Sequence, residues 1–421
     1  MKIKLFCAAL AILFVLSGSA LKINAFENPF AIRSVLGPSP EQKSALMSVE
    51  AGGLLEFSAS DLERRLELEK GSLKGVTITS LPDSQYGGLF IDGVEVSNFD
   101  FLERSELDKL CFAASTCLGT ATIGLLPQGR EAETVSLNIQ VLAQPNHPPV
   151  LENLSIETSK NVDAYRYLTA WDPDGDPVQL KLISAPKKGE VTISGKTLVY
   201  RPWHNKTGSD CFLLCAVDNK GAYSHETTVS VTINKEGRGF YYADMTTHPS
   251  QYAALMLHEV GVYTGEKIGN QYYFHPDQPR NRVDFLVWLL TAAGMTDSMA
   301  PTVNTGLPGD ENIPLHYKRY IKKAMEEGII SSNREFAWQE IPTRAECVVL
   351  TARAAKIDDV KSFPLTMADA GTLPDWSVKS YRDLAAYRML DLYDGYARPQ
   401  AALTNSYAAD LCWQLYKHTH R

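Results

Sequence analysis

Ile341-Pro342-Thr343-Arg344-Ala345-Glu346 is the stretch on which the fold turns. A threonine three residues ahead of a glutamate is the signature of a capping box, in which the hydroxyl accepts from the N–H of Glu346 and the carboxylate accepts from the N–H of Thr343. A helix is therefore expected to start at Arg344. The pattern recurs in Asn281-Arg282-Val283-Asp284, where Asn281 and Asp284 can do nearly the same job, and in Thr404-Asn405-Ser406-Tyr407. There Tyr407 replaces the acid, so the cap is half formed. The second positions, 282, 344 and 405, are spaced by 62 and then 61 residues.

Helical stripes follow these starts. Ala408, Leu411, Cys412 and Leu415 fall at i, i+3, i+4 and i+7, and Phe285, Leu286, Leu289 and Leu290 form a similar face. Another helical stretch precedes each: Tyr252 to Gly261, Tyr317 to Gly328 and Trp376 to Met389. Tyr320 and Tyr381 lie 61 apart but Tyr252 and Tyr320 lie 68 apart, which predicts a longer loop around Glu266 to Tyr273. From about Gly239 the chain thus reads as helix, loop, helix, three times over. Such a period means units that bury a shared core together.

The residues before it have a different texture. Runs at 75–79, 134–141, 179–183 and 228–233 alternate apolar and polar residues as half-buried antiparallel strands do, separated by turns such as Asp92-Gly93, Asp174-Gly175 and Lys220-Gly221. The Thr-Val-Ser runs that begin at Thr134 and Thr228 are 94 residues apart, a plausible length for one β-sandwich. Two sandwiches in tandem are expected, joined by the stiff connector Asn146-His147-Pro148-Pro149-Val150.

Of 421 residues, 41 are basic and 49 acidic, a net charge of −8 that lacks the basic footprint of a nucleic-acid binder. Lys2 and Lys4, the apolar run Leu5 to Leu16 and the small residues Ser17 to Ala20 read as a secretory signal peptide, too short for the roughly 20 residues of a membrane span. Six cysteines remain beyond it. Cys111 and Cys117 are close enough in sequence to pair across a turn. Cys211 and Cys215, about 13 Å apart along one strand, are not, and Cys347 and Cys412 read as small core residues. No nucleophile elbow, phosphate-binding loop or zinc-protease motif is present, since His258-Glu259 lacks its second histidine. The chain is read as a non-enzyme.

Phe274 to Phe285, Ile341 to Glu346 and Phe363 to Trp376 resemble the signature segments of S-layer homology (SLH) domains. The resemblance implies a pseudo-threefold helical module of three repeats that binds a secondary cell-wall polysaccharide, often pyruvylated, or modified peptidoglycan. Trp171-Asp172-Pro173-Asp174-Gly175-Asp176-Pro177, with the strands after it and Val217-Asp218, resembles bacterial cadherin-like and Ig-like surface repeats, which often bind calcium. The preceding unit looks like a degenerate relative without the acidic run. The resulting plan is a signal peptide (1–25), two cadherin-like or Ig-like sandwiches (26–145 and 146–235) and SLH repeats at 236–297, 298–359 and 360–421.

Candidate binding residues follow from the chemistry. Asp172, Asp174 and Asp176 put three hard oxygen ligands within five residues, with Asn146 or Asp218 as further ligands; the alternative is a turn whose carboxylates bond their own backbone. Calcium is the one cofactor these residues raise. Arg282 and Arg344 open their helices, facing the positive end of the helix dipole, so an anion should offset them. One candidate is a carboxylate on the bound glycan, gripped also by backbone N–H groups; the other is an acid of the next repeat, such as Asp310 or Asp369. Asn405 carries no charge at the third such position. Trp376 could stack on a sugar, although a tryptophan at a helix start packs into the core more often. The expectation is an exported cell-surface protein held to wall polymer by its helical repeats, with the sandwiches as spacer or adhesive parts and no transmembrane segment; the alternatives are a released adhesin or an undetected enzyme.

Overall fold

A computed structural model describes residues 44–128, 133–235, 240–297 and 299–420. The signal-peptide reading of residues 1–25 lies outside them. Among the described residues no helix is long and apolar enough to cross a membrane.

The first β unit comprises β1 (Ser44–Glu50), β2 (Leu54–Glu56), β3 (Gly75–Ser80), β4 (Gly87–Ile91), β5 (Val94–Glu95), β6 (Phe101–Glu103), β7 (Leu110–Ala114), β8 (Gly119–Pro127) and β9 (Val135–Leu142). They form two sheets, β1-β9-β8-β3-β6 and β2-β7-β4-β5, with β1 running parallel to β9. The alternation in β9 buries Val135, Leu137, Ile139 and Val141 against Val76, Ile78, Leu89 and Phe112. Two short helices, α1 (Ala59–Arg65) and α2 (Arg104–Leu107), interrupt the strands. Ser58 caps α1 by accepting from the N–H of Asp61 at 3.1 Å.

The second unit contains β10 (Val150–Leu151), β11 (Ser155–Ser159), β12 (Ala164–Tyr167), β13 (Ala170–Trp171), β14 (Val178–Ser184), β15 (Gly189–Ser194), β16 (Thr197–Pro202), β17 (Gly208–Asp218) and β18 (Thr227–Asn234). Its main sheets are β11-β18-β17-β14 and β12-β16-β15, and β11 again runs parallel to the last strand. Leu198, Tyr200, Phe212, Leu214, Val229 and Val231 fill the space between them. Cys111, Cys117, Cys211 and Cys215 are all free thiols, so the pairing considered for Cys111 and Cys117 is not formed.

The sandwiches meet at Gly221. It sits at φ +86°, and a Cβ there would collide with the Leu46 carbonyl, so only glycine lets the two backbones approach. Arg65 donates to the carbonyls of both Leu46 (2.6 Å) and Gly221 (2.5 Å), and its guanidinium and that of Arg64 lie over the Tyr223 ring.

The rest is helical: α3 (Gln251–Glu259), α4 (Arg282–Ala292), α5 (Leu315–Glu326), α6 (Arg344–Ala355), α7 (Asp375–Ala386) and α8 (Asn405–Thr419). The longer loop of the first repeat is a hairpin, β19 (Glu266–Ile268) with β20 (Gln271–Tyr273), whose Tyr272 carbonyl accepts from the N–H of Ala243 at 2.9 Å. The second helices α4, α6 and α8 pack on one another at the centre. Each first helix lies on the second helix of the repeat before it: α5 on α4, α7 on α6 and, closing the ring, α3 on α8. Phe285, Leu286, Ala345, Cys347, Val348, Ala408, Leu411 and Cys412 belong to the single core so enclosed.

Candidate functional site

The three helix starts interlock around the centre. The N–H of Arg282 donates to the Glu340 carbonyl (2.8 Å), that of Arg344 to Ala401 (2.9 Å) and that of Asn405 to Gln278 (3.0 Å). Each acceptor lies four residues before the next helix start. The following N–H groups, of Val283, Ala345 and Ser406, reach the carbonyls of Trp338, Pro399 and Pro276 in the same cyclic order. From the sequence, these N–H groups are one candidate for gripping a glycan carboxylate. They are already occupied, because a buried helix start must satisfy its orphan donors within the protein.

The caps form as the residue types require. Thr343 and Glu346 make the reciprocal box. Asn281 accepts from the N–H of Asp284 at 2.8 Å, but Asp284 turns away to accept from the Tyr317 hydroxyl (2.7 Å) rather than returning to its cap. Thr404 accepts from the N–H of Tyr407 at 3.4 Å, with no acid to reciprocate.

The two arginines differ in their surroundings. Arg282 reaches across to the next repeat and pairs with Glu346 (3.0 Å) and Glu340 (3.3 Å), while also donating to the Ala337 carbonyl. Among the described residues the Arg344 side chain has no carboxylate partner and makes no hydrogen bond: its guanidinium lies 4.4 Å from the centre of the Tyr407 ring, and its Nε is buried without an acceptor. The hydroxyls of Tyr381 and Tyr407 are buried and lie against each other, and burial pushes both phenols up from their ordinary pKa. At the third position Asn405 accepts from Arg280 Nε (2.7 Å) and donates to the carbonyls of Phe274 and His275.

Asp310 and Asp369 partner neither arginine. Asp310 accepts from the N–H and hydroxyl of Thr305 and from Lys318, which together hold its carboxyl at about 2. Asp369 accepts from the N–H groups of Ala397 (2.8 Å) and Arg398 (2.7 Å). Both are committed to shaping loops, which leaves glutamates at 340 and 346 to meet Arg282. Asp244 does for Phe274 and His275 what Asp369 does for its loop, a role that the repeat spacing could have revealed. Trp376, in the first turn of α7, is 58% exposed rather than packed into the core. Its flat face is thus free to stack on a ligand.

The acidic turn is a second candidate site. One ligand oxygen from each of Asp172, Asp174 and Asp176 can be grouped within 4.8 Å. Asp172 Oδ1 accepts from the N–H groups of Asp174 (2.8 Å) and Asp176 (3.3 Å), as a self-bonded turn requires. Asp174 accepts from the backbone N–H of His147 (2.7 Å), its other oxygen lies 2.8 Å from the His147 ring, and these contacts lower its pKa. Lys220 stands 2.9 Å from Asp176 Oδ2, supplying the positive charge that a metal would bring. Asp172 Oδ2 and Asn146 Oδ1 are buried with no donor among the described residues, while the Asn146 amide donates to Asp218 at 2.7 Å. The oxygens suit a hard cation, but Lys220 would have to be displaced for one to enter with full coordination.

No curated protein matches the chain. Among solved structures, an endo-fucoidan hydrolase of glycoside hydrolase family 107 is similar at 14% identity over 41% of this chain and 25% of its own, with a TM-score of 0.19. Drosophila N-cadherin EC1-3 is similar at 16% identity over 47% and 64%, with a TM-score of 0.20. The fibronectin(III)-like modules of Clostridium thermocellum CbhA are similar at 14% over 47% and 93%, with a TM-score of 0.19. The chain spans a quarter to a third of the length of the fucoidan hydrolases it resembles. Residues 146–234, which hold β10 to β18, match the family model of the bacterial Ig domain.

Proposed function

We propose that the chain is an exported bacterial surface protein whose helical module anchors it to an anionic wall polymer in the manner of SLH repeats, with the two sandwiches held outward from it. The observation that carries this reading is Arg344. A guanidinium laid over an aromatic ring, with a buried Nε lacking an acceptor and no carboxylate against it among the described residues, is a cation held ready for an anionic group. A carboxylate such as a pyruvate ketal on a sugar has the required charge and planarity, and the exposed ring of Trp376 offers a stacking face elsewhere on the module.

The three helix starts are unequal in this scheme. Arg282 is already neutralised by two glutamates and Asn405 has no charge, so binding concentrates at Arg344 and avidity from three equivalent grooves is not expected. Arg344→Ala should reduce sedimentation of the full chain with purified cell walls at least about tenfold in apparent affinity, and Arg282→Ala and Asn405→Ala much less. Equal binding by all three variants would remove the arginine from the mechanism. Loss of binding after acid extraction of non-peptidoglycan polymer from the walls would identify that polymer as the ligand. The neutralised Arg282 favours a second reading, a released adhesin whose repeats no longer hold the wall; it predicts no co-sedimentation for the parent chain either.

A further inference from the structure

A cleft of about 1270 Å³ lies between the bacterial Ig domain and the third helical repeat. One wall is built by residues 151–169 around β10 and β11, the other by the end of α7, the segment after it and the last turns of α8. Neither arginine of the helix starts lines it, nor does Trp376, so it is separate from the site described above. Its edges are fixed by direct contacts: Arg166 pairs with Asp391 at 3.1 Å, the Thr197 hydroxyl donates to the Tyr393 carbonyl at 3.3 Å, and the Tyr167 ring fills the space where Gly395 would carry a side chain. The cavity therefore belongs to the docked arrangement of the two parts.

Its lining is polar and charge-balanced. Arg166, Arg388 and Lys417 are matched by Glu152, Glu157 and Asp391, so no field in the cleft favours a polyanion or a polycation. Among the described residues, the side chains of Glu152, Asn153, Arg388 and Gln414, and the hydroxyl of Tyr387, make no hydrogen bond or ion pair. Arg388 is presented from a left-handed residue (φ 55°) just past the end of α7, and His418 sits edge-on to the Tyr387 ring. Pockets for drug-sized ligands occupy roughly 300–1,000 Å³ and are mostly apolar. This one is larger and wetter, with flat amide, carboxylate and guanidinium groups beside aromatic rings.

We propose that the cleft binds a neutral oligosaccharide. Sugar hydroxyls both donate and accept, which suits the mixed set Glu152, Asn153, Arg388 and Gln414. The C–H face of a pyranose suits the rings of Tyr387 and Tyr167. The balance of charge separates this ligand from the anionic one assigned to Arg344, and the cleft's volume admits several sugar rings in a row.

The test is calorimetric titration of the full chain with chitotetraose, cellotetraose and maltotetraose, with tetragalacturonate as the anionic probe. At least one neutral tetrasaccharide should bind with a dissociation constant no weaker than millimolar. The double variant Asn153→Ala/Gln414→Ala should weaken that binding at least about tenfold while keeping the parent melting curve, and Arg344→Ala should leave it unchanged. Asn153 is exposed and Gln414 half-buried, so the double variant keeps the core intact. The proposal is overturned if none of the three neutral sugars binds, if binding survives the double variant, or if tetragalacturonate binds more tightly than they do and loses its affinity in the same double variant.

Discussion

Glu63 illustrates how a single residue ties the first sandwich together. Its carboxylate is 2% exposed and accepts from Arg104 and from the N–H groups of Gly71 (2.9 Å) and Leu73 (2.8 Å), which hold its pKa at about 2. A carboxylate with a depressed pKa contributes stability that is present above its unfolded value, near 4.5, and is lost as pH falls through about 2. Glu63→Gln should therefore lower stability at pH 7 by about 1.5–3 kcal/mol in urea unfolding, and the difference from the parent should vanish by about pH 2. Lys220 makes the complementary case at the acidic turn. Replacing it with glutamine removes the ammonium beside Asp176, so calcium should stabilise Lys220→Gln by about 2.7 kcal/mol at a hundredfold excess over its dissociation constant, and should raise the melting temperature of the parent by less at the same calcium concentration. Equal shifts in the two proteins would mean that the ammonium does not compete with the metal.

At the scale of elements, the caps rank the helices. The Thr343 hydroxyl and Glu346 carboxylate satisfy each other's backbone donors, whereas Thr404 accepts one long hydrogen bond and receives nothing in return. Thr343→Ala should cost about 1–2 kcal/mol and Thr404→Ala about 0.5 kcal/mol, measured as shifts of the unfolding midpoint with the slope held constant. A larger loss at Thr404 would show that its contact with Ser406 matters more than the cap. The strand runs, the helical stripes and the capping box could be read from the sequence because each depends on residues within a few positions of one another. The period of the repeats even located the extra length in the first one, although not its form as a hairpin. What escaped were pairings between distant positions. Nothing local says that Arg282 meets glutamates at 340 and 346 or that Trp376 stays in solvent, and the nearer links from Asp310 to Thr305 and Lys318 follow no periodic pattern. Short α1 was also hidden, since seven residues among strand-like runs carry little periodic signal.

Among the described residues of the molecule the parts are docked rather than strung on loose tethers. Besides the cleft contacts, Asn234 donates to the Tyr252 hydroxyl at 3.1 Å, the Tyr165 hydroxyl donates to the Thr247 carbonyl at 2.8 Å, and Val162 of the Ig domain joins the helical core. The packing of α3 on α8 has a consequence for the order of events during synthesis. The first helix of the module packs on its 15-residue last helix, and the N–H groups that open α8 are satisfied by carbonyls of the first repeat. No early repeat can close by itself, so the contacts that complete the ring span nearly the full length of the module and carry a high loop-closure entropy. The module should remain unlocked until its final residues emerge, while the two sandwiches, whose pairings lie within each unit, can already be folded. A chain that passes through a narrow channel before folding would keep this module threadable until its final helix is through.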